Sequence, residues 1–292
     1  MTEQEQTSCF FVSDLHGLTQ RYLKLFEAIA SERPRVVFLG GDILPHGMAS
    51  LLGNDVGQGK FVEDFLVAEF RKLRSFLGQA YPRIFIILGN DDGRFEETAI
   101  LNAEQQGVWE YVHRVKKSAG KYSIYGYACV PPTPFRLKDW ECYDVSRYVD
   151  PGCLSPEEGW RTVPVPESER KYSTIQQDLD ELVGDSDLEH AIFLFHTPPH
   201  KTHLDRAALD KRQIDRVPLD VHVGSVAVRR FIETRQPLLT LHGHVHESAR
   251  LTGSWRDRIG RTAMFTAAHD GPELALIRFS LENPEDASRE LI

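Results

Sequence analysis

The chain has 292 residues, 41% of them hydrophobic and 26% charged, an ordinary globular composition with length for a sizeable core. Its 34 basic and 43 acidic residues leave a net charge of −9, which argues against binding extended nucleic acid. No apolar run approaches a membrane span, the polar start MTEQEQTSCF does not resemble a signal peptide, and four cysteines without CxxC pairing fit a reduced, cytoplasmic protein.

Residues 9–14, CFFVSD, are a short apolar run ending in turn residues. A helix is predicted over about 19–31, with Leu23, Phe26 and Ile29 spaced by three and Pro34 closing it. RVVFLGGD, 35–42, reads as a second buried strand. Residues 60–77 predict a longer helix with Phe61, Phe65, Phe70, Leu73 and Leu77 near one face and Gly78 past its end. RIFIILGND, 83–91, is a third buried strand. Apolar strands joined by helices imply an α/β fold whose sheet is covered on both faces and parallel at its centre.

The window 131–170 breaks this alternation. It holds seven of the 16 prolines and begins PPTPFRLKDWECYD, too aromatic for a disordered linker. It is predicted as an ordered surface excursion near a site, within one domain spanning 1–292. Its Phe135, Trp140 and Tyr143 suit either packing on the core or stacking on a base or sugar. A helix resumes in YSTIQQDLDELV, 172–183, where Ser173 and Gln176 fit a capping box. Then come a strand HAIFLFH (190–196), a helix SVAVRRFIETR (225–235), a strand PLLTLHGHVH (237–246), and the strands TAMFTA (262–267) and LALIRFSL (274–281). The last ten residues are polar and are expected to fray.

Five strands end in polar signatures: SDLHG with Asp14 and His16, GGD with Asp42, GNDD with Asn90, Asp91 and Asp92, a lone His196, and HGHVH with His242, His244 and His246. Ligand sites in open α/β sheets lie beyond the carboxyl ends of strands, so these residues should converge. Asp14 and His16, two apart in extended chain, would point the same way. Asp14, His16, Asp42, Asn90, His196, His244 and His246 make seven candidate ligands of mixed oxygen and nitrogen type. The set suits two divalent or trivalent cations such as Mn, Fe, Zn or Co, with the two-oxygen carboxylate of Asp42 as the natural bridge. Acting as a phosphate clamp, they would lie about 3.5–4 Å apart.

The ordered series D-x-H, G-G-D, G-N-x-D, H, G-H-x-H resembles the calcineurin-like metallophosphoesterase superfamily over about residues 8–280. The resemblance implies a four-layer α-β-β-α sandwich of two mixed sheets with helices outside. It also implies that Asp14, His16 and His246 hold one metal, that Asn90, His196 and His244 hold the second, and that Asp42 bridges. His242 is not a ligand in that pattern and would support the site or pack. The implied activity is hydrolysis of a small phosphorylated substrate, a phosphodiester or diphosphate, by a metal-bridging hydroxide. The alternative is a metal-binding scaffold of the same fold that binds a partner and hydrolyses nothing.

One position departs from the superfamily. Its third motif commonly carries a histidine after the asparagine, near the scissile phosphate; here that place is Asp91. Leaving-group protonation therefore needs another group. His200 in the loop after His196 is the first candidate, with His203 and His269 behind it, and Asp91 is itself a candidate catalytic residue. Arg94 would hold a phosphate oxygen or make a salt bridge at a helix start. Asp92 would orient a ligand through hydrogen bonds.

Overall fold

The computed structural model describes residues 6–46 and 60–292. Two six-stranded mixed sheets carry the fold. In the first, β1 (Ser8–Val12), β2 (Val36–Gly40), β3 (Arg83–Ile87) and β4 (Glu110–Tyr111) are parallel neighbours. Antiparallel β13 (Ala275–Ser280) and β14 (Ser288–Leu291) extend it beside β1. In the second, β6 (Tyr122–Tyr127), β7 (Ala191–Phe195), β10 (Leu239–His242) and β12 (Thr262–Thr266) are parallel. Antiparallel β5 (Lys116–Ala119) and β11 (Arg256–Ile259) form its edges. A small hairpin of β8 (Gln213–Ile214) and β9 (Val217–Pro218) stands apart.

Side-chain alternation along β7 shows the layering. Ile192 and Leu194 join the large core that holds Phe11, Phe38 and Phe85 of the first sheet. Phe193 and Phe195 join a second core with helices α5 (Ile175–Val183) and α6 (Val226–Arg235), through Leu179, Val183, Val228 and Phe231. The first sheet is flanked by α1 (Thr19–Glu32) and α2 (Ala68–Leu77), which meet where Phe26 and Phe70 pack edge to face at 4.9 Å. Gly126 of β6 marks the close approach of the sheets, since a Cβ there would lie 2.7 Å from Ile87 Cγ2. The outcome is the expected sandwich of two mixed sheets with helices outside.

Several local expectations need correction. The helix predicted over 60–77 begins as a π-helical segment, Phe61–Val67, before becoming α2. The wider turn rotates Val62 and Leu66 into the core and leaves Phe61 and Phe65 only half-buried against Tyr22. At the start of α5 the cap is Thr174, whose side chain accepts the Gln177 N–H at 3.2 Å; Ser173 is not the capping residue. The polar C-terminus does not fray: residues 288–291 pair in register with β13 as an edge strand. The excursion is ordered, with Lys138 and Glu141 fully buried and joined at 2.6 Å. The described residues also form the short helices α3 (Glu97–Gln105), α4 (Glu167–Tyr172) and α7 (Ser248–Thr252). No helix among the described residues is long and apolar enough to cross a membrane.

Candidate metal centre

The five signatures follow β1, β2 and β3 of one sheet and β7 and β10 of the other, so the site lies where the carboxyl ends of both sheets meet. The turns that form it are left-handed at four candidate residues: Asp14 (φ 56°), His16 (φ 47°), Asp42 (φ 49°) and His244 (φ 72°). Asp14 and His16 thus share a site through a turn and not through the strand alternation expected of extended chain. Such backbone is costly for residues with a Cβ and recurs where geometry serves function. Backbone hydrogen bonds lock the turns together: Asp14 N–H to Gly41 O at 2.9 Å and His16 N–H to Asp42 O at 2.8 Å. Gly89 is required by space, since a Cβ there would lie 2.4 Å from Asp42 Oδ1 and 2.7 Å from His196 Cε1.

Asp14, His16, Asp42 and His246 each offer a ligand atom, all within 4.8 Å of one another. His16 Nε2 and His246 Nε2 are 3.1 Å apart, and His246 Nε2 is 3.3 Å from Asp14 Oδ1. On the other side of Asp42, its Oδ2 is 3.2 Å from His196 Nε2, which is 3.1 Å from Asn90 Oδ1. His244 packs edge to face on His196 at 5.3 Å, while its N–H donates to Asp14 Oδ1 at 2.9 Å. All seven residues expected as ligands are thus drawn together around Asp42.

The electrostatics of the group fit a cation. Burial pushes the Asp14 carboxyl up, but the hydrogen bond and charge of His246 bring it down to about 2. Burial likewise opposes ionisation of Asp42, and the charge and hydrogen bond of His196 overcome it, holding Asp42 well below the usual carboxylate range. Burial disfavours charge on His16 and His196, yet the carboxylates win: the hydrogen bond that His16 donates to Asp91 carries it to about 9, and the charge of Asp42 carries His196 to about 10. His244 goes the other way, down to about 3, through burial and the charge of His196. Burial and Asp42 together push Asp92 up to about 8. The group is therefore buried carboxylates held by protons on adjacent imidazoles, with two imidazole nitrogens facing each other at a separation that admits one proton between them. A metal ion replaces such protons and answers the excess of carboxylate charge.

The other candidates are placed as follows. Arg94 lies 3.3 Å from Glu97 Oε2 and 3.5 Å from Glu169 Oε1, over the Trp140 ring, as a salt-bridged residue near a helix start. Asp92 accepts the backbone N–H groups of Ile43, Leu44 and Gly89, so it ties the second and third motif loops together. His242 is fully buried, stacked on Phe195, with Nδ1 2.9 Å from Thr197 O; it packs behind His196. His200 sits 3.8 Å from both Asp205 and Asp220, His203 faces Asp257 at 3.4 Å, and His269 faces Glu273 at 3.0 Å. Trp140 is buried with its N–H on Asp92 O, Tyr143 is buried with its hydroxyl on Glu157, and Phe135 is exposed.

Asp91 holds the residue that sequence reasoning missed. One carboxylate oxygen is 3.1 Å from His16 Nδ1, and the other contacts Nδ1 of His46. His46 follows the second motif in GGDILPH and carries no pattern of its own; only its proximity in sequence to Asp42 could have flagged it. A cavity of about 790 Å³ lies at the opposite, amino-terminal ends of the strands, lined by Arg33, Tyr81, Arg83 and Tyr122 among others, and none of the candidate ligands reaches it. Chemistry, and not cavity size, therefore locates the site.

No curated protein matches the chain in sequence. Among solved structures, a Thermus thermophilus protein matches with a TM-score of 0.56 at 17% identity, covering 98% of this chain and 99% of that one. A dimetal phosphatase from Danio rerio matches with a TM-score of 0.55 at 14% identity, covering 98% and 96%. A phosphopantetheinyl hydrolase from Mycobacterium tuberculosis gives 0.51 at 11% identity, covering 90% of each. These likenesses establish the fold. The family model for calcineurin-like phosphoesterases matches residues 8–248. The chain carrying this cluster belongs to the calcineurin-like phosphoesterase family and is a metallophosphoesterase.

Proposed function

We propose that the protein hydrolyses a small phosphodiester or diphosphate at a dinuclear centre, with Asp14, His16 and His246 on one cation, Asn90, His196 and His244 on the other, and Asp42 shared. The observation that carries this reading is the position of Asp42, 3.2 Å from His196 on one side and within the cluster of Asp14, His16 and His246 on the other. Bound there, a cation pair supplies an acidified water and polarises the phosphoryl oxygens. The chain's own groups set the rest. Asp92 fixes the loops of Asp42 and Asn90 against each other, and Trp140 closes over the third motif through its bond to Asp92 O.

Asp91 favours the diester. Its carboxylate stands beside His16 at the rim, 15% exposed. Bonded to His16 and His46, it adds no positive charge where the superfamily commonly has a histidine, so a dianionic monoester forgoes more attraction there than a monoanionic diester does. The test is turnover of bis(p-nitrophenyl) phosphate against p-nitrophenyl phosphate after loading with Mn²⁺. Faster diester turnover, abolished by chelation, supports the reading. Monoester preference overturns the substrate class, and no turnover of either ester by metal-loaded protein favours the scaffold alternative.

A further inference from the structure

We infer that His46 is the residue that protonates the leaving group, held in place by Asp91. The inference rests on the phosphoester-hydrolase reading above and adds to it a residue from outside the seven expected ligands.

Asp91 stands between two imidazoles. Its Oδ2 meets His16 Nδ1 at 3.1 Å, and its Oδ1 meets His46 Nδ1. Its own N–H donates to Asp42 Oδ1 at 2.7 Å, so the carboxylate is fixed to the centre of the cluster. His46 therefore lies one carboxylate width from His16, on the solvent side. Its side chain is 69% exposed, against 24% for His16. With Nδ1 committed to Asp91, Nε2 is the ring atom left to face an incoming ligand. A carboxylate on one ring nitrogen that orients the other is the arrangement by which histidines move protons.

The other histidines near the rim are less well placed. His200 lies between Asp205 and Asp220, and His222 also faces Asp205 at 2.8 Å; neither contacts a residue of the cluster. His269 is taken by Glu273. Among the described residues His46 joins an exposed imidazole to the cluster through one shared carboxylate.

The step balances simply. Water adds its oxygen to phosphorus and sheds a proton to solvent. The P–O bond to the leaving group breaks, and the departing oxygen takes the proton from His46 Nε2. The neutral ring regains a proton from solvent. The role of Asp91 is to position the ring through its contact with Nδ1, which explains how a carboxylate in this motif serves a reaction that needs an acid.

General-acid help matters in proportion to how poorly the leaving group departs. The test compares wild type, His46→Gln and His200→Gln on aryl methyl phosphates running from p-nitrophenol to unsubstituted phenol, all loaded with Mn²⁺. For His46→Gln we expect a loss of about 10²-fold or more on the phenyl ester and under about 10-fold on the p-nitrophenyl ester, a steeper dependence on leaving group. An unchanged dependence, or one that steepens in His200→Gln instead, overturns the assignment while the hydrolase reading stands. Wild type inactive on every ester overturns both. A second readout needs no turnover: nitrogen-15 spectra of the histidine rings in metal-free protein, with the His46 signals identified by their loss in His46→Gln. Asp91→Asn should shift those signals, and their insensitivity to that change counts against the pairing.

Discussion

Asp92 offers a quantitative test of how the site is held. Its buried carboxylate accepts three backbone N–H groups, from Leu44 at 2.7 Å, Gly89 at 2.8 Å and Ile43 at 3.2 Å. Two belong to the loop after Asp42 and one to the loop before Asn90, so a single side chain staples two motifs. Asp92→Ala strands three donors. Each stranded buried group costs about 1–3 kcal/mol, and a water entering the vacated space recovers part of this. We expect a net loss of about 3–5 kcal/mol in guanidinium unfolding of chelated protein, with an unchanged dependence on denaturant. Asp92→Asn should recover part of the loss, because its amide oxygen can accept from Ile43 and Gly89, which share one oxygen, while its NH₂ faces the Leu44 N–H. Both variants should also bind metal more weakly. A loss below about 1 kcal/mol in Asp92→Ala would show that the loops hold without the staple and would refute the reasoning.

Further predictions concern protons, a cap and a buried pair. His16 and His196 are raised to about 9 and about 10 from an ordinary 6.5, so the stability they give metal-free protein is complete below pH 6.5 and is lost as pH rises through 9 to 10. Melting of chelated protein should therefore decline over that window, while loaded protein, whose cations displace those protons, should hold; identical profiles would count against protonated imidazoles in the cluster. Thr174→Ala should cost about 1 kcal/mol and Ser173→Ala only a few tenths, measured by chemical denaturation, because the cap bond to Gln177 comes from Thr174. Lys138→Met should cost about 3–5 kcal/mol near neutral pH by leaving Glu141 buried without its cation, and Lys138→Met/Glu141→Leu should recover much of that loss in the same measurement.

The parallel strands and the convergence of five strand ends were legible, because buried parallel strands read as continuous apolar runs and their carboxyl ends carry the polar residues; the division into two sheets was implied only by the family resemblance. The edge strands were not, for the opposite reason. KKSA of β5, RDRI of β11 and SREL of β14 are polar because one face is in water and charged edges resist pairing with other chains. The π-helical start of the second long helix shifted its apolar face by a residue, which a pattern of fixed period cannot anticipate. The left-handed turns at Asp14, His16, Asp42 and His244 are tertiary products, set by bonds between loops distant in sequence. His46 lay beyond reach for the same reason, since its meaning depends on Asp91, which only the folded chain brings beside it.

The shared role of Asp42 is the claim on which the rest stands, and metal counting tests it most directly. Protein stripped with chelator, reloaded with Mn²⁺, desalted and analysed by elemental mass spectrometry should hold about two ions per chain, as expected of a two-metal clamp, and Asp42→Ala should retain fewer than one. One ion per wild-type chain, or two retained without Asp42, would contradict the account.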